Sequence, residues 1–316
     1  MVLSAPKTES SDTSFRTLGL RGNPYSPNPE LKIWMNGQLV PALDARINVF
    51  DHGLLYGDGI FEGIRIYNGR IFKEEEHVQR LFESAKSIRL DLGVAPADVS
   101  RAMAEAMAAN RITGNGYIRL VVTRGVGSLG ISTKHTAVPM MIIIADKIAL
   151  YPPELYETGL QCVVSSYARN HPNTLNPRVK SLNYLNNILA KLEAQDAGAN
   201  EAIMLNPHGR IAEATGDNIF IVRGKRIETP MACECLLEGI TRGVVLEIAR
   251  EAGYDVRESL LLRHDLYVAD EVFLTGTAAE IISVVGVDRR AVGDGRPGKV
   301  TQELLKAFRE YVAAGR

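Results

Sequence analysis

Lys180-Ser-Leu-Asn-Tyr184-Leu-Asn-Asn187 is the stretch from which the fold is best read. Its lysine follows a turn-rich run holding Asn170, Pro172, Asn173, Asn176 and Pro177. It precedes a helical pattern over 183–197, where Leu185, Ile188, Leu189 and Leu192 recur at the spacing of one helix face. A lysine at a strand–loop–helix junction can be desolvated and used as a nucleophilic amine, although a lone lysine there is more often structural. Working outward, a β run over 160–167 comes before it. After it come expected strands at 201–206, 218–222 and 226–229, a helix over 241–252, strands near 256–262, 271–275 and 281–287, and a terminal helix over 300–313. Strand runs mixed with isolated helices, without strict alternation, indicate α+β architecture.

The N-terminal half is built similarly. Asn36-Gly37 and Asn68-Gly69 each sit between apolar runs and read as two-residue hairpin turns. Val78, Leu81, Phe82, Ala85 and Ile88 form one helical stripe over 74–90, and Val99, Ala102, Met103, Ala106 and Met107 another over 98–110. Strands are expected at 117–123 and 139–147. The paired prolines of Tyr151-Pro152-Pro153 end regular structure. The expected organisation is a flexible extension over residues 1–30, a small N-terminal domain over 31–150, a linker over 151–157 and a large C-terminal domain over 158–316.

Composition narrows the function classes. The 316 residues carry 36 basic and 37 acidic side chains, a net charge of −1 that offers no footprint for nucleic acid or an anionic membrane. No apolar run approaches the roughly 18 residues of a membrane span. The three cysteines, Cys162, Cys233 and Cys235, fit neither a zinc site nor a redox pair and read as buried free thiols in a reducing, cytoplasmic setting. No metal site is expected. Gly125-Val-Gly127-Ser-Leu-Gly130 matches the dinucleotide fingerprint, yet a β run with Pro139 follows where that motif needs a helix. His77, His135, His171, His208 and His264 are scattered in polar settings and read as surface residues.

Two further turns suit an anionic ligand. Gly239-Ile240-Thr241-Arg242 opens a helix, whose first N–H groups are unpaired, and Thr275-Gly276-Thr277-Ala278 leaves a strand through small residues. Taken with Lys180-Ser-Leu-Asn-Tyr184, Glu213-Ala-Thr-Gly-Asp-Asn218 and, upstream, His52-Gly-Leu-Leu-Tyr56-Gly-Asp-Gly-Ile-Phe61-Glu-Gly63-Ile-Arg65 and His77-Val-Gln-Arg80, these motifs stand in the order of a known family. From about Lys32 to the C-terminus the chain resembles the class IV (fold type IV) pyridoxal-phosphate aminotransferases. The resemblance implies a two-domain α+β fold, with a smaller N-terminal α/β domain and a larger barrel-like C-terminal domain.

It also implies roles. Lys180 would bind pyridoxal 5'-phosphate covalently and then move a proton; Glu213 would face the pyridine nitrogen and Tyr184 the phenolic oxygen. Leu237 would pack on the ring, and Arg80, Ile240, Thr241 and Thr277 would hold the phosphate. Tyr117-Ile-Arg119 stands where the branched-chain branch recognises a carboxylate, with Tyr56, Phe61, Gly63, Arg65, Thr277 and Ala278 completing a substrate pocket. The D-amino-acid branch places an arginine and a histidine two apart on the 127–135 loop, a pair absent here, and the aminodeoxychorismate lyases usually lack Tyr-x-Arg. The expected reaction is transamination of branched-chain L-amino acids (Leu, Ile, Val) with 2-oxoglutarate. The rivals are a D-amino-acid aminotransferase or that lyase. The partners implied are these small molecules and a second copy of the chain, with Tyr56 and the 129–131 loop reaching into the neighbouring site.

Overall fold

The computed structural model describes residues 28–147 and 151–316; the expectation for the N-terminal extension lies, but for residues 28–30, outside the described residues. Asn36-Gly37 and Asn68-Gly69 all take positive φ (42°, 89°, 50° and 74°), the geometry of a two-residue hairpin turn. The first joins β1 (Lys32–Met35) to β2 (Gln38–Pro41), the second β3 (Gly59–Tyr67) to β4 (Arg70–Ile71). With β5 (Gly116–Thr123) and β6 (Met140–Asp146) they form a six-stranded antiparallel sheet ordered β2-β1-β6-β5-β3-β4.

Register decides what this sheet presents. β3 and β5 pair with Gly63 opposite Arg119 and Arg65 opposite Tyr117. Strand alternation therefore puts Ile60, Ile64, Ile66, Ile118, Leu120 and Val122 on one face and Phe61, Gly63, Arg65, Tyr117 and Arg119 on the other. The first face is buried under the helices Glu74–Ser87 and Pro96–Ala109 through Val78, Leu81, Ala85, Val99, Met103 and Ala106. The second face meets the other half of the chain, with Lys180 over Phe61 and Glu280 beside Arg65.

The other half is a nine-stranded sheet. It comprises β7 (Leu160–Val164), β8 (Glu201–Leu205), β9 (Ile211–Ala214), β10 (Asn218–Arg223), β11 (Arg226–Pro230), β12 (Asp255–Ser259), β13 (Glu271–Gly276), β14 (Glu280–Val287) and β15 (Arg290–Ala291). The order is β12-β11-β10-β13-β14-β7-β8-β9, with β15 on β14. β9 and β10 lie five positions apart in that order, yet only residues 215–217 join them. Five spacings of a flat sheet cover about 24 Å, whereas four Cα steps reach at most about 14 Å. The sheet must curl towards a barrel. Helices Ile240–Glu251 and Lys299–Ala313 pack on it through Val244, Ile248, Leu304 and Phe308 against Phe220, Phe273 and Ile281.

The result is a two-domain α+β fold with a barrel-like second sheet. Three local expectations are corrected. The stripe Leu185, Ile188 and Leu192 on the helix Leu185–Asp196 faces solvent, and the residues it buries are Asn187, Ala190 and Ala194, because small side chains let the helix lie close to Ala202 and Met204. Residues Pro153–Thr158, within and just beyond the expected linker, are a helix, since proline is well placed in a first helical turn. Cys233 is exposed, while Cys162 and Cys235 are buried as expected.

Candidate active site

Lys180 is pinned by its backbone to the first sheet: its carbonyl accepts from Phe61 N (2.9 Å), and the next turn is tied by Leu182 N to Gly59 O (3.0 Å). Its own N–H meets Ser84 Oγ of the helix Glu74–Ser87 at 3.3 Å. The Nζ then lies 3.4 Å from Tyr184 Oη and 4.6 Å above the Phe61 ring, which meets Tyr184 edge-on. The amine stands at the seam of the two halves, with aromatic carbon beneath it.

Glu213 lies on β9, a strand that its short length and mixed composition hid from pattern reading. It is buried rather than solvated. Oε1 accepts from Arg169 Nε at 2.7 Å and Oε2 from Leu237 N at 2.9 Å. Burial pushes the Glu213 carboxyl above its ordinary value, against the pull of Arg169. Arg169 is the residue that sequence reading missed. Nothing in Tyr167-Ala-Arg169-Asn marks a buried arginine, because only the fold shows that its partner lies 44 positions ahead.

The anion-binding end meets Lys180 and Glu213 in one cavity, lined also by Thr215, Gly216, Thr275, Gly276 and Thr277. The helix Ile240–Glu251 starts there with Gly239 at its N-cap, so the N–H groups of its first turn have no capping side chain to satisfy them. Arg80 reaches the same cavity from the helix Glu74–Ser87. Two glycines are required by close approach: a Cβ on Gly239 would lie 2.0 Å from Asn218 Oδ1, and one on Gly276 1.9 Å from Asp217 Oδ1. Thr275 Oγ1 and Asn187 Oδ1 are buried without a partner among the described residues.

Phe61, Gly63, Arg65, Tyr117 and Arg119 share the second face of the first sheet. Arg119 stacks over Phe61 at 4.7 Å and Tyr117 at 5.5 Å. Gly63 is glycine because a Cβ there would sit 2.0 Å from the Tyr117 hydroxyl. Arg65 lies over Tyr67 at 5.0 Å with Glu280 at 3.8 Å, and its Nε has no partner among the described residues. Ala278 follows Thr277 in the turn between β13 and β14. Tyr56 stands apart from the cavity, with its hydroxyl accepting from Gly130 N at 2.7 Å. Of the histidines expected at the surface, His77 is buried, its Nδ1 2.8 Å from Glu62. The glycine-rich 125–130 stretch is followed by a three-residue 3₁₀ turn, Thr133–His135, so it starts no dinucleotide-binding helix.

The family profile described as amino-transferase class IV matches residues 59–287, which hold Lys180, Glu213 and both anion-binding turns. This chain belongs to the class IV aminotransferases. It is 45% identical over 280 residues to a putative branched-chain-amino-acid aminotransferase of Methanocaldococcus jannaschii, covering 89% of this chain and 96% of that one. It is 38% identical to the branched-chain-amino-acid aminotransferase of Pseudomonas aeruginosa, over 89% of this chain and 92% of that one. Its structure resembles the branched-chain amino acid aminotransferase from Thermobaculum terrenum in its PLP (holo) form, with a TM-score of 0.81 at 34% identity over 90% of this chain and 94% of that one. The cavity fits the phosphorylated cofactor implied by the sequence motifs: helix N–H groups, Arg80 and the unpartnered Thr275 hydroxyl suit a phosphate, and a buried carboxylate lies deeper for a ring nitrogen.

In the cavity wall, Asp217 is pushed up to about 7 by burial and by Glu201. Raised above its unfolded value, this acid binds a proton on folding, so its contribution to stability declines as pH rises towards 7 and stays lost above it. Asp217→Asn, which mimics the protonated acid, should therefore melt higher than the parent protein at pH 8 and by a smaller margin at pH 5. An equal margin at both values, read by calorimetry, would remove the titrating acid from the account.

Proposed function

We propose that this aminotransferase exchanges amino groups between branched-chain L-amino acids and 2-oxoglutarate with pyridoxal 5'-phosphate as cofactor. The observation that carries this reading is the meeting of the Lys180 amine, buried Glu213 and an uncapped helix start in one cavity, beside a sheet face bearing Tyr117 and Arg119. Bound there, the cofactor supplies an aldehyde that exchanges with the substrate's amine and a ring that takes up the electron pair left as Cα loses its proton.

The chain's own residues do the rest. Lys180 Nζ binds the cofactor and, once displaced by substrate, takes the Cα proton; the Phe61 ring under it keeps water from its lower side. Glu213, fixed by Arg169 and the Leu237 N–H, holds a proton on the ring nitrogen. Tyr184 donates to the phenolic oxygen, Leu237 packs on the ring, and Arg80, Ile240 N, Thr241 and Thr277 hold the phosphate. Tyr117 and Arg119 bind a substrate carboxylate, with Phe61 as apolar wall and Thr277-Ala278 along the opposite edge.

Arg119 gives a test of specificity. Arg119→Leu should lower kcat/KM for L-leucine and L-glutamate together by roughly ten- to hundred-fold, the worth of one charge-assisted bond of about 1.5–3 kcal/mol. A lower melting temperature with unchanged kcat/KM for both would make Arg119 a structural strand residue.

The active unit in this reading is a homodimer or larger in the cytoplasm, with residues 31–150 and 158–316 as its two domains. The support is an exposed apolar surface on the 49–54 and 129–131 segments. Val49, Phe50, Leu54, Leu129 and Ile131 are all exposed, and the Tyr56–Gly130 bond ties their two loops together. Among the described residues no helix is long and apolar enough to cross a membrane.

A further inference from the structure

Glu62 belongs to the buried face of β3, between Ile60 and Ile64, where strand alternation calls for an apolar side chain. It is 1% exposed, and both its oxygens are engaged. Oε1 accepts from Arg80 Nε at 2.8 Å, while Oε2 accepts from Arg80 Nη2 at 2.7 Å and lies 2.8 Å from His77 Nδ1. Burial keeps His77 neutral by pushing its pKa down, so the ring donates to the carboxylate as a neutral imidazole.

Stability does not explain this cluster, because a buried ion pair contributes little over an apolar pair of similar volume. Geometry does. Glu62 takes the Nε–Nη2 edge of the guanidinium, and Glu238 O takes one Nη1 hydrogen at 2.9 Å. One hydrogen on Nη1 and one on Nη2 then have no partner among the described residues, and Arg80 lines the cavity beside the first turn of the helix Ile240–Glu251. We propose that Glu62, steadied by His77, is a positioning residue that locks Arg80 with its outer fork presented to the cofactor's phosphate.

The claim rests on the phosphate reading of Arg80, and charge makes the two separable. Coulomb attraction alone predicts that removing the Glu62 charge tightens an anion's binding. Loss of the lock predicts that it weakens. The experiment measures equilibrium binding of pyridoxamine 5'-phosphate, and of pyridoxamine lacking the phosphate, to enzyme stripped of cofactor. Pyridoxamine compounds carry no aldehyde, so Lys180 cannot bond them.

Arg80→Met should weaken the phosphorylated ligand; no loss there would overturn the phosphate reading itself. Given that loss, Glu62→Gln should weaken the phosphorylated ligand by roughly ten- to hundred-fold and leave pyridoxamine unchanged, as expected for one or two charge-assisted bonds put out of line. Equal or tighter binding, or equal loss for both ligands, would overturn the positioning role. Should Glu62→Gln not fold, Glu62→Asp, which draws the carboxylate back by one methylene, carries the same comparison. The double variant Glu62→Leu with Arg80→Met should bind no worse than Arg80→Met alone, because the lock acts only through Arg80. A further loss in the double variant would contradict that.

Discussion

Lys180→Ala should reduce transamination by at least about 10⁴-fold, because it removes a nucleophile and a general base in a single change. The same substitution should leave the fold intact. The lysine is held through its backbone, by Phe61 N, Ser84 Oγ and the neighbouring Leu182–Gly59 bond, none of which needs its amine. Borohydride reduction of the parent enzyme with pyridoxal 5'-phosphate, followed by peptide mapping, should put the label on Lys180. Geometry makes the choice sharp. Lys191, the nearest rival on the following helix, has its Nζ committed to Glu201 Oε2 at 2.8 Å and Asn200 O at 2.6 Å. Among the described residues, Lys180 Nζ has the Tyr184 hydroxyl at 3.4 Å as its one hydrogen-bond partner, with ring faces beside it. A label on Lys191 or Lys147 would refute the assignment.

Glu213→Gln should slow the proton-transfer step by roughly 10²- to 10³-fold, about 2.7–4 kcal/mol, while phosphate affinity is largely kept. An amide cannot keep a ring nitrogen protonated, whereas the anion-binding end is built from other elements: the helix starting at Ile240, Arg80 and the β13–β14 turn. The carboxylate also serves Arg169 and the Leu237 N–H. The amide therefore leaves one of those donors short of an acceptor, and the melting temperature should fall as well. Stopped-flow rates of the first half-reaction distinguish the two effects. An unchanged rate in a destabilised protein would reduce Glu213 to a structural counter-ion of Arg169.

The parts of this molecule legible in the sequence were those governed by local rules. Asn and Gly tolerate the positive φ of a two-residue hairpin turn, so the pairs at 36–37 and 68–69, each set between apolar runs, made both hairpins of the first sheet readable. The stripes Val78–Leu81–Ala85 and Val99–Met103–Ala106 describe helices buried on one side, and both are. The helix after Lys180 shows the limit of that reasoning. Leu185, Ile188 and Leu192 have helical spacing, but spacing alone does not say whether the stripe meets the protein's own core or its surface. The burial of His77, Arg169 and Glu62 depends on partners that lie 15 to 44 positions away along the chain. Such pairs become visible only once the sheets are assembled.

For the site, motif order brought together Lys180, Tyr184, Glu213, Leu237, Ile240, Thr241 and Thr277, with Arg80 from the other half, around one cavity. Phe61, Gly63, Arg65, Tyr117 and Arg119 share one face of the first sheet instead, and Tyr56, at the end of a short helix and bonded to Gly130, stands apart from the cavity.

The central claim is amino-group transfer selective for branched-chain L-substrates, and a single-turnover experiment tests it most directly. Holoenzyme is mixed with L-leucine, L-valine, L-glutamate or D-alanine under stopped flow, and 2-oxoglutarate is then added. The account predicts rapid loss of the aldehyde absorbance with the three L-amino acids, its full return with 2-oxoglutarate, and little change with D-alanine. The fastest conversion with D-alanine, or pyruvate release from aminodeoxychorismate without any return of absorbance on adding 2-oxoglutarate, would contradict it.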